Sequence, residues 1–258
     1  MLHFCDRHGF FLPTDPIDSS VSNVRKPFPH AFTLVELLVV VSIVGLLAGL
    51  AIPSISGALA KARQAESMNQ LKQFAMLTLA YSAENSGALP DEGGEGVQSF
   101  SAISQASNAA AWYNVLPPMA GFLSASNYRS NPKGFYDKGS LFYSKAAKYP
   151  ANKAASAYFA FGINSQLNGL RMVSLIAPSR TALFGDARLP DERSLLPTGG
   201  KMDSLGQPKV RDSRFVARYN GSGLVAFCDG HVEIVKATDT YNTRVVIWDQ
   251  SAASVAGQ

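Results

Sequence analysis

Cys228, Asp229 and His231 fall within four residues of one another in the string LVAFCDGHVEIV. A thiolate beside an imidazole can act as a nucleophile and its base, but it also needs an orienting group and an oxyanion site. The sequence shows neither. Read as backbone, Asp229-Gly230 between two apolar runs signals a two-residue hairpin turn. Pairing Cys228 with His231 would set Phe227 opposite Val232 and Val225 opposite Ile234 on one apolar face. Ala226, Glu233, Cys228 and His231 would then share the other face, as in a half-buried hairpin that does no chemistry. The remaining histidines, His3, His8 and His30, lie far away in the chain. Asp186, Asp191 and Asp239 are acids in expected loops, but without the spacing of an EF-hand calcium loop. The reading therefore assigns no catalytic residue, metal ligand or cofactor, and treats Asp229 and Gly230 as a turn.

A second acid is chemically out of place. In HAFTLVELLVVVSIVGLLAGLAIP, residues 30–53, Glu36 is the one acidic or basic side chain after His30. A carboxylate in hydrocarbon is costly and marks a functional position by default. The run from Phe32 to Ile52 has the length of a membrane-crossing helix, about 20 residues, and exceeds the apolar part of a cleavable secretory signal. Arg25-Lys26 precedes it, which sets the N-terminus in the cytoplasm and the rest of the chain across the membrane.

The segment AFTLVELLVVVSIVGLLAGLAIP resembles the N-terminus of type IV prepilins and type II secretion pseudopilins. The resemblance implies a leader, residues 1–31, removed by a prepilin peptidase at the Ala31–Phe32 bond, with Phe32 N-methylated by the same processing. Ala31 stands where glycine is usual. Glu36 then takes the fifth mature position and Pro53 the twenty-second, where the family has its acid and its helix-kinking proline. The family's architecture is a long N-terminal helix packed on an antiparallel β-sheet head. It implies other pilin-like subunits and an inner-membrane assembly platform as partners, a cytoplasmic leader and a periplasmic head. In such a filament the amine of one subunit meets the Glu36 carboxylate of the next. A paired buried charge recovers much of what a lone one costs, and only one axial stagger satisfies both. Some pseudopilins bind calcium in the head. RYNGSGLVAFCDGHVE also resembles the C-terminal DG-histidine signature of planctomycete-type prepilin-like proteins, with Tyr219 where that group has histidine; FGINSQL and IAPSRTALFGDA resemble its head domain.

The elements that must position these residues follow from periodicity. Ile55, Leu59, Ala62, Met68, Leu71, Ala75 and Leu79 recur mostly at three- or four-residue spacing, which predicts an amphipathic continuation over 54–85 that ENSG stops. Pro53 should kink the helix. Residues 86–258 form the head. Residues 109–123 predict a short helix ended by Pro117-Pro118, and strand signals begin near Ala157: AYFAFGIN, RMVSLI, TALFGDA, SRFVARYN, LVAFC, HVEIV and RVVIW. Between them, 187–213 reads as a polar loop. The fold class is α+β.

Bulk properties narrow the functions. Of 258 residues, 23 are Lys or Arg and 19 Asp or Glu, and the net charge of +4 is too mild for a nucleic-acid footprint. Two cysteines, Cys5 and Cys228, rule out a disulfide framework. The leading function is a pseudopilin that builds a periplasmic fibre of a type II secretion-like system. The alternative is a type IV pilus or competence-type pilin whose head binds a surface, a polymer or DNA through loops carrying Trp112, Tyr113, Tyr128, Phe135 and Tyr136, although such aromatics more often pack loops onto a sheet. A membrane-anchored enzyme centred on Cys228 and His231 ranks last.

Overall fold

The computed structural model describes residues 32–198 and 204–253. The leader, and Ala31 with it, lies outside the described residues. The chain divides into two compact units, Met1–Leu50 and Ala51–Gln258. Helix α1, Leu34–Glu84, runs through both and continues through Pro53. In the first unit every described side chain is exposed. The helix is long and apolar enough to cross a membrane, with only Glu36 charged in that stretch.

In the second unit α1 buries a stripe made of Ser67, Leu71, Phe74, Ala75, Thr78 and Ser82. The expected stripe is rotated: Leu71 and Ala75 are buried, whereas Ile55 and Leu59 are exposed. Polar residues take part because their hydroxyls have partners. Thr78 Oγ1 donates to the Phe74 carbonyl at 2.9 Å, and the Ser67 and Ser144 hydroxyls lie 3.0 Å apart. Phe74 occupies the middle of the core, with its ring edge-on to Trp112 at 5.1 Å and stacked on Phe184 at 5.4 Å. The helix ends where Ser86 enters the left-handed region, at φ 55°, and the Gly87 amide donates back to the Ser82 carbonyl.

The sheet is five-stranded with order β3-β1-β2-β4-β5: β1 Phe161–Asn164, β2 Ala182–Asp186, β3 Lys209–Val210, β4 Ser222–Phe227 and β5 Val232–Lys236. It is mixed and not purely antiparallel, because β3 pairs parallel to β1. This strand lies inside the expected polar loop 187–213. Gly162 admits it, since a Cβ there would meet the Lys209 carbonyl carbon at 2.7 Å. One face of the sheet packs on α1 and its aromatic cluster, and the other is covered by Phe215, Val246 and Trp248. Burial on both faces explains why β1 and β2 show continuous burial without alternation.

Three expected strands are absent. RMVSLI holds a 3-10 turn at Met172–Ser174, while SRFVARYN makes only the isolated bridges Ala187–Phe215 and Tyr219–Ser222, and RVVIW only Thr181–Ile247. Their apolar residues cover the sheet instead of extending it. Helix α2, Trp112–Met119, contains both prolines that were expected to end it. They sit in its last turns, where the Pro117 and Pro118 carbonyls still accept from Ala120 and Gly121. A short helix α3, Gln250–Ala253, closes the described chain.

Candidate functional site

Phe32 and Thr33 precede α1, and Thr33 is its N-cap. The Glu36 amide donates to Thr33 Oγ1 at 3.2 Å, while the Thr33 amide and hydroxyl donate to Glu36 Oε2 at 2.9 and 2.8 Å. This reciprocal pair is a capping box, and it satisfies amides that the first helical turn leaves unbonded. One carboxylate oxygen thus has a partner inside its own subunit. The other, Oε1, has none among the described residues. Sequence reasoning fixed on Glu36 and missed Thr33, although T-x-x-E ahead of an apolar run was the available signal. The acid sits in the first helical turn, where the helix dipole also favours negative charge.

The hairpin separates Cys228 from Asp229 and His231. Ala226 pairs with Val232 and Leu224 with Ile234, one position away from the expected register. The Phe227 amide donates to the His231 carbonyl and the Gly230 amide to the Phe227 carbonyl, so the loop is the three residues Cys228-Asp229-Gly230. Gly230, at φ 93°, supplies the left-handed residue that such a loop needs. The consequence is a separation of thiol and imidazole. Cys228 is fully buried in the cluster that faces α1, and burial pushes its thiol well above the ordinary range. His231 is partly exposed and stacks on Phe227, 4.5 Å between centroids, with Nδ1 2.5 Å from Asp229 Oδ1. Phe227 belongs to the cluster on the opposite sheet face. A buried protonated thiol turned away from the imidazole is no nucleophile–base pair.

The acids expected in loops have different fates. Asp191 and Asp239 lie in 3-10 turns, but Asp186 ends β2 and is fully buried. Asp186 Oδ1 accepts from Arg218 Nη1 at 2.6 Å, and its Oδ2 accepts from the Leu224 amide at 2.7 Å. Arg218 also donates from Nε and Nη2 to the two Glu192 oxygens, each at 2.7 Å, and to the carbonyls of Ala160 and Ala187. All five guanidinium N–H groups are used. Glu192 further accepts the Leu189 and Lys148 amides. Burial pushes the Asp186 carboxyl up to about 6, against the pull of Arg218, and the two carboxylates raise Arg218 despite its burial. The cluster ties β2, β4 and the 189–195 turn together. Among the described residues no group of His, Cys, Asp or Glu has the geometry to hold a metal.

The aromatics considered for binding are core residues. Trp112, Tyr113 and Phe135 are fully buried, Tyr128 and Tyr136 nearly so, and Trp112 Nε1 donates to the Pro208 carbonyl.

Residues 29–52 match the family model for the prokaryotic N-terminal methylation motif. The match takes in Phe32, Thr33 and Glu36 and ends at Ile52, so the DG-histidine resemblance has no counterpart in it. No curated protein and no solved structure matches the chain. Prepilin-like proteins are structural subunits, not an enzyme family. The motif implies processing by a prepilin peptidase and assembly with other pilin subunits, and the single apolar helix fits a single-pass membrane anchor. Through residues 29–52 this chain carries the prokaryotic N-terminal methylation motif, the mark of prepilin-like proteins.

Proposed function

We propose that the chain is a pseudopilin-type subunit of a type II secretion-like system, cut at Ala31–Phe32, methylated at Phe32 and assembled through α1 into a short periplasmic fibre. The observation that carries this reading is Glu36 within the methylation motif, with one oxygen in its own cap and the other without a described partner. Once the leader is gone, the Phe32 amine of a neighbouring subunit supplies the missing positive charge. In an apolar filament core this pairing sets the stagger, because a shifted neighbour leaves both charges unpaired. The capping box holds the carboxylate at the first turn, so the charge is presented at a fixed depth. The exposed apolar surface of the first unit supplies the remaining contact area between subunits.

Mass spectrometry of the mature N-terminus tests the processing step, with N-methylated Phe32 as the expected first residue. Any other first residue places the amine at a different offset from Glu36 and overturns the mechanism. The type II assignment is tested in the source organism by deleting the gene: loss of secreted enzymes with unchanged surface pili supports it, and the reverse result favours the pilus reading.

A further inference from the structure

The stretch 129–153, RSNPKGFYDKGSLFYSKAAKYPANK, holds six basic residues and one acid, so it alone carries more than the net +4 of the chain. Apart from Lys153, which is half-buried, these basic side chains are exposed. Residues 133–139 lie between two concavities of the head. One, about 360 Å³, is lined by Lys133, Tyr136, Asp137, Asn152 and Lys153. The other, about 530 Å³, has Lys138 on one wall and Lys72 with Gln73 from α1 on the other. Lys145 is bonded to Glu66 at its margin, which removes the negative charge there. Lys153 does not wander freely, since its ammonium sits 5.4 Å from the Tyr136 ring centroid and 5.6 Å from that of Tyr149.

We propose that this strip of the head binds an acidic polysaccharide, with Lys133, Lys138 and Lys153 pairing carboxylates and Asn152 and Gln73 bonding hydroxyls. Charge spread along two hollows on either side of residues 133–139 suits a linear polymer of repeating charge better than one small anion. Amides interspersed with lysines suit a hydroxyl-rich chain. Of the aromatics of the strip, Phe135, Tyr136 and Phe142 are at most 5% exposed, and the half-buried Tyr143 and Tyr149 are stacked on each other, 5.6 Å between centroids, with Lys153 near both rings. Their ring faces are thus largely taken up within the head, which disfavours single-stranded nucleic acid. The proposal deepens the fibre reading by giving the displayed head a ligand, but the binding itself does not depend on assembly.

The test uses the full-length protein in detergent, with polygalacturonate as probe and dextran and duplex DNA as comparisons. The expected result is polygalacturonate binding that weakens about tenfold as salt rises from about 0.05 M to about 0.3 M, with no dextran binding. Lys133→Gln, Lys138→Gln and Lys153→Gln combined should lower affinity about tenfold or more, whereas Lys236→Gln on β5 leaves it unchanged. Bound polymer should also protect Lys133, Lys138 and Lys153 of the unaltered protein from acylation relative to Lys236, a readout that survives if the triple variant misfolds. No binding, undiminished binding by a folded triple variant, absence of protection, or tighter binding to DNA would each overturn the proposal. Glu36→Ala should retain binding while failing to assemble, so failure of the fibre reading and failure of this one are told apart.

Discussion

Two sets of carboxylates show how the two units of this chain use charge. Glu36, in the first unit, belongs to an exposed apolar helix and has only its neighbour Thr33 as a described partner. Asp186 and Glu192, in the second, are fully buried and wrapped around one guanidinium whose every donor is used. A charge that is locally anchored but incompletely paired is suited to meet another molecule. A charge whose bonds all close inside the fold specifies that fold and offers nothing outward. By that criterion the assembly chemistry belongs to the helix, and the buried ionic cluster around Arg218 is structural.

The comparison breaks most severely at Arg218. Arg218→Met leaves two buried carboxylates facing each other and should cost about 3–5 kcal/mol in chemical denaturation of the head. A loss below about 1 kcal/mol would mean that the cluster is not closed as described. In the first unit the corresponding change is Glu36→Gln. Glutamine can still accept in a capping box, so the helix start survives while the charge is lost. Processing and head stability should be unchanged, and sheared filament yield should fall about tenfold or more. Filaments at normal yield would show that the cap, not the charge, is what the assembly needs.

A smaller effect separates the two kinds of acid by pH. Asp186 has a carboxyl raised to about 6 by burial, above its unfolded value near 4. The folded state therefore holds a proton that the unfolded state releases in that window, so this group lowers stability as pH rises from about 4 to about 6. Asp186→Asn should flatten that part of the stability–pH curve by about 2 kcal/mol, and lower stability at all pH, because its single carbonyl oxygen can accept from only one of Arg218 and the Leu224 amide. An unchanged curve would place the titration elsewhere.

What the sequence revealed divides along the same line. The apolar length, the position of Glu36, the offset of Pro53 and the end of α1 near Glu84 are local features, and local spacing made them readable. The head's polar core was not readable, because Asp186, Glu192 and Arg218 are brought together only by the pairing of β2 with β4 and by a turn between them. Asp186 looked like a loop acid for that reason. The two-residue strand β3 has no periodicity to detect, and its parallel pairing depends on Gly162, far away in sequence. Asp229-Gly230 read as a two-residue turn, but the loop is Cys228-Asp229-Gly230, one residue more than the dipeptide suggests. That one residue moves Val232 and Ile234 to the face shared by Leu224 and Ala226. Ser67 and Thr78 were overlooked as core positions because hydroxyls read as surface until their partners are known.

The finest distinction concerns Thr33, which has the role on the helix that the Leu224 amide has in the head: it holds a carboxylate in place. Thr33→Ala removes the hydroxyl that both donates to Glu36 Oε2 and accepts from the Glu36 amide. The loss of such a cap costs about 1 kcal/mol. Exchange of the Glu36 amide in detergent should quicken about fivefold, and Thr33→Ser should restore it. Filament yield should drop less than with Glu36→Gln, because the charge remains and only its orientation loosens. If Thr33→Ala instead matches Glu36→Gln in yield while exchange is unaltered, Thr33 must act on the neighbouring subunit, and the capping box would be a feature of the separate chain that assembly replaces.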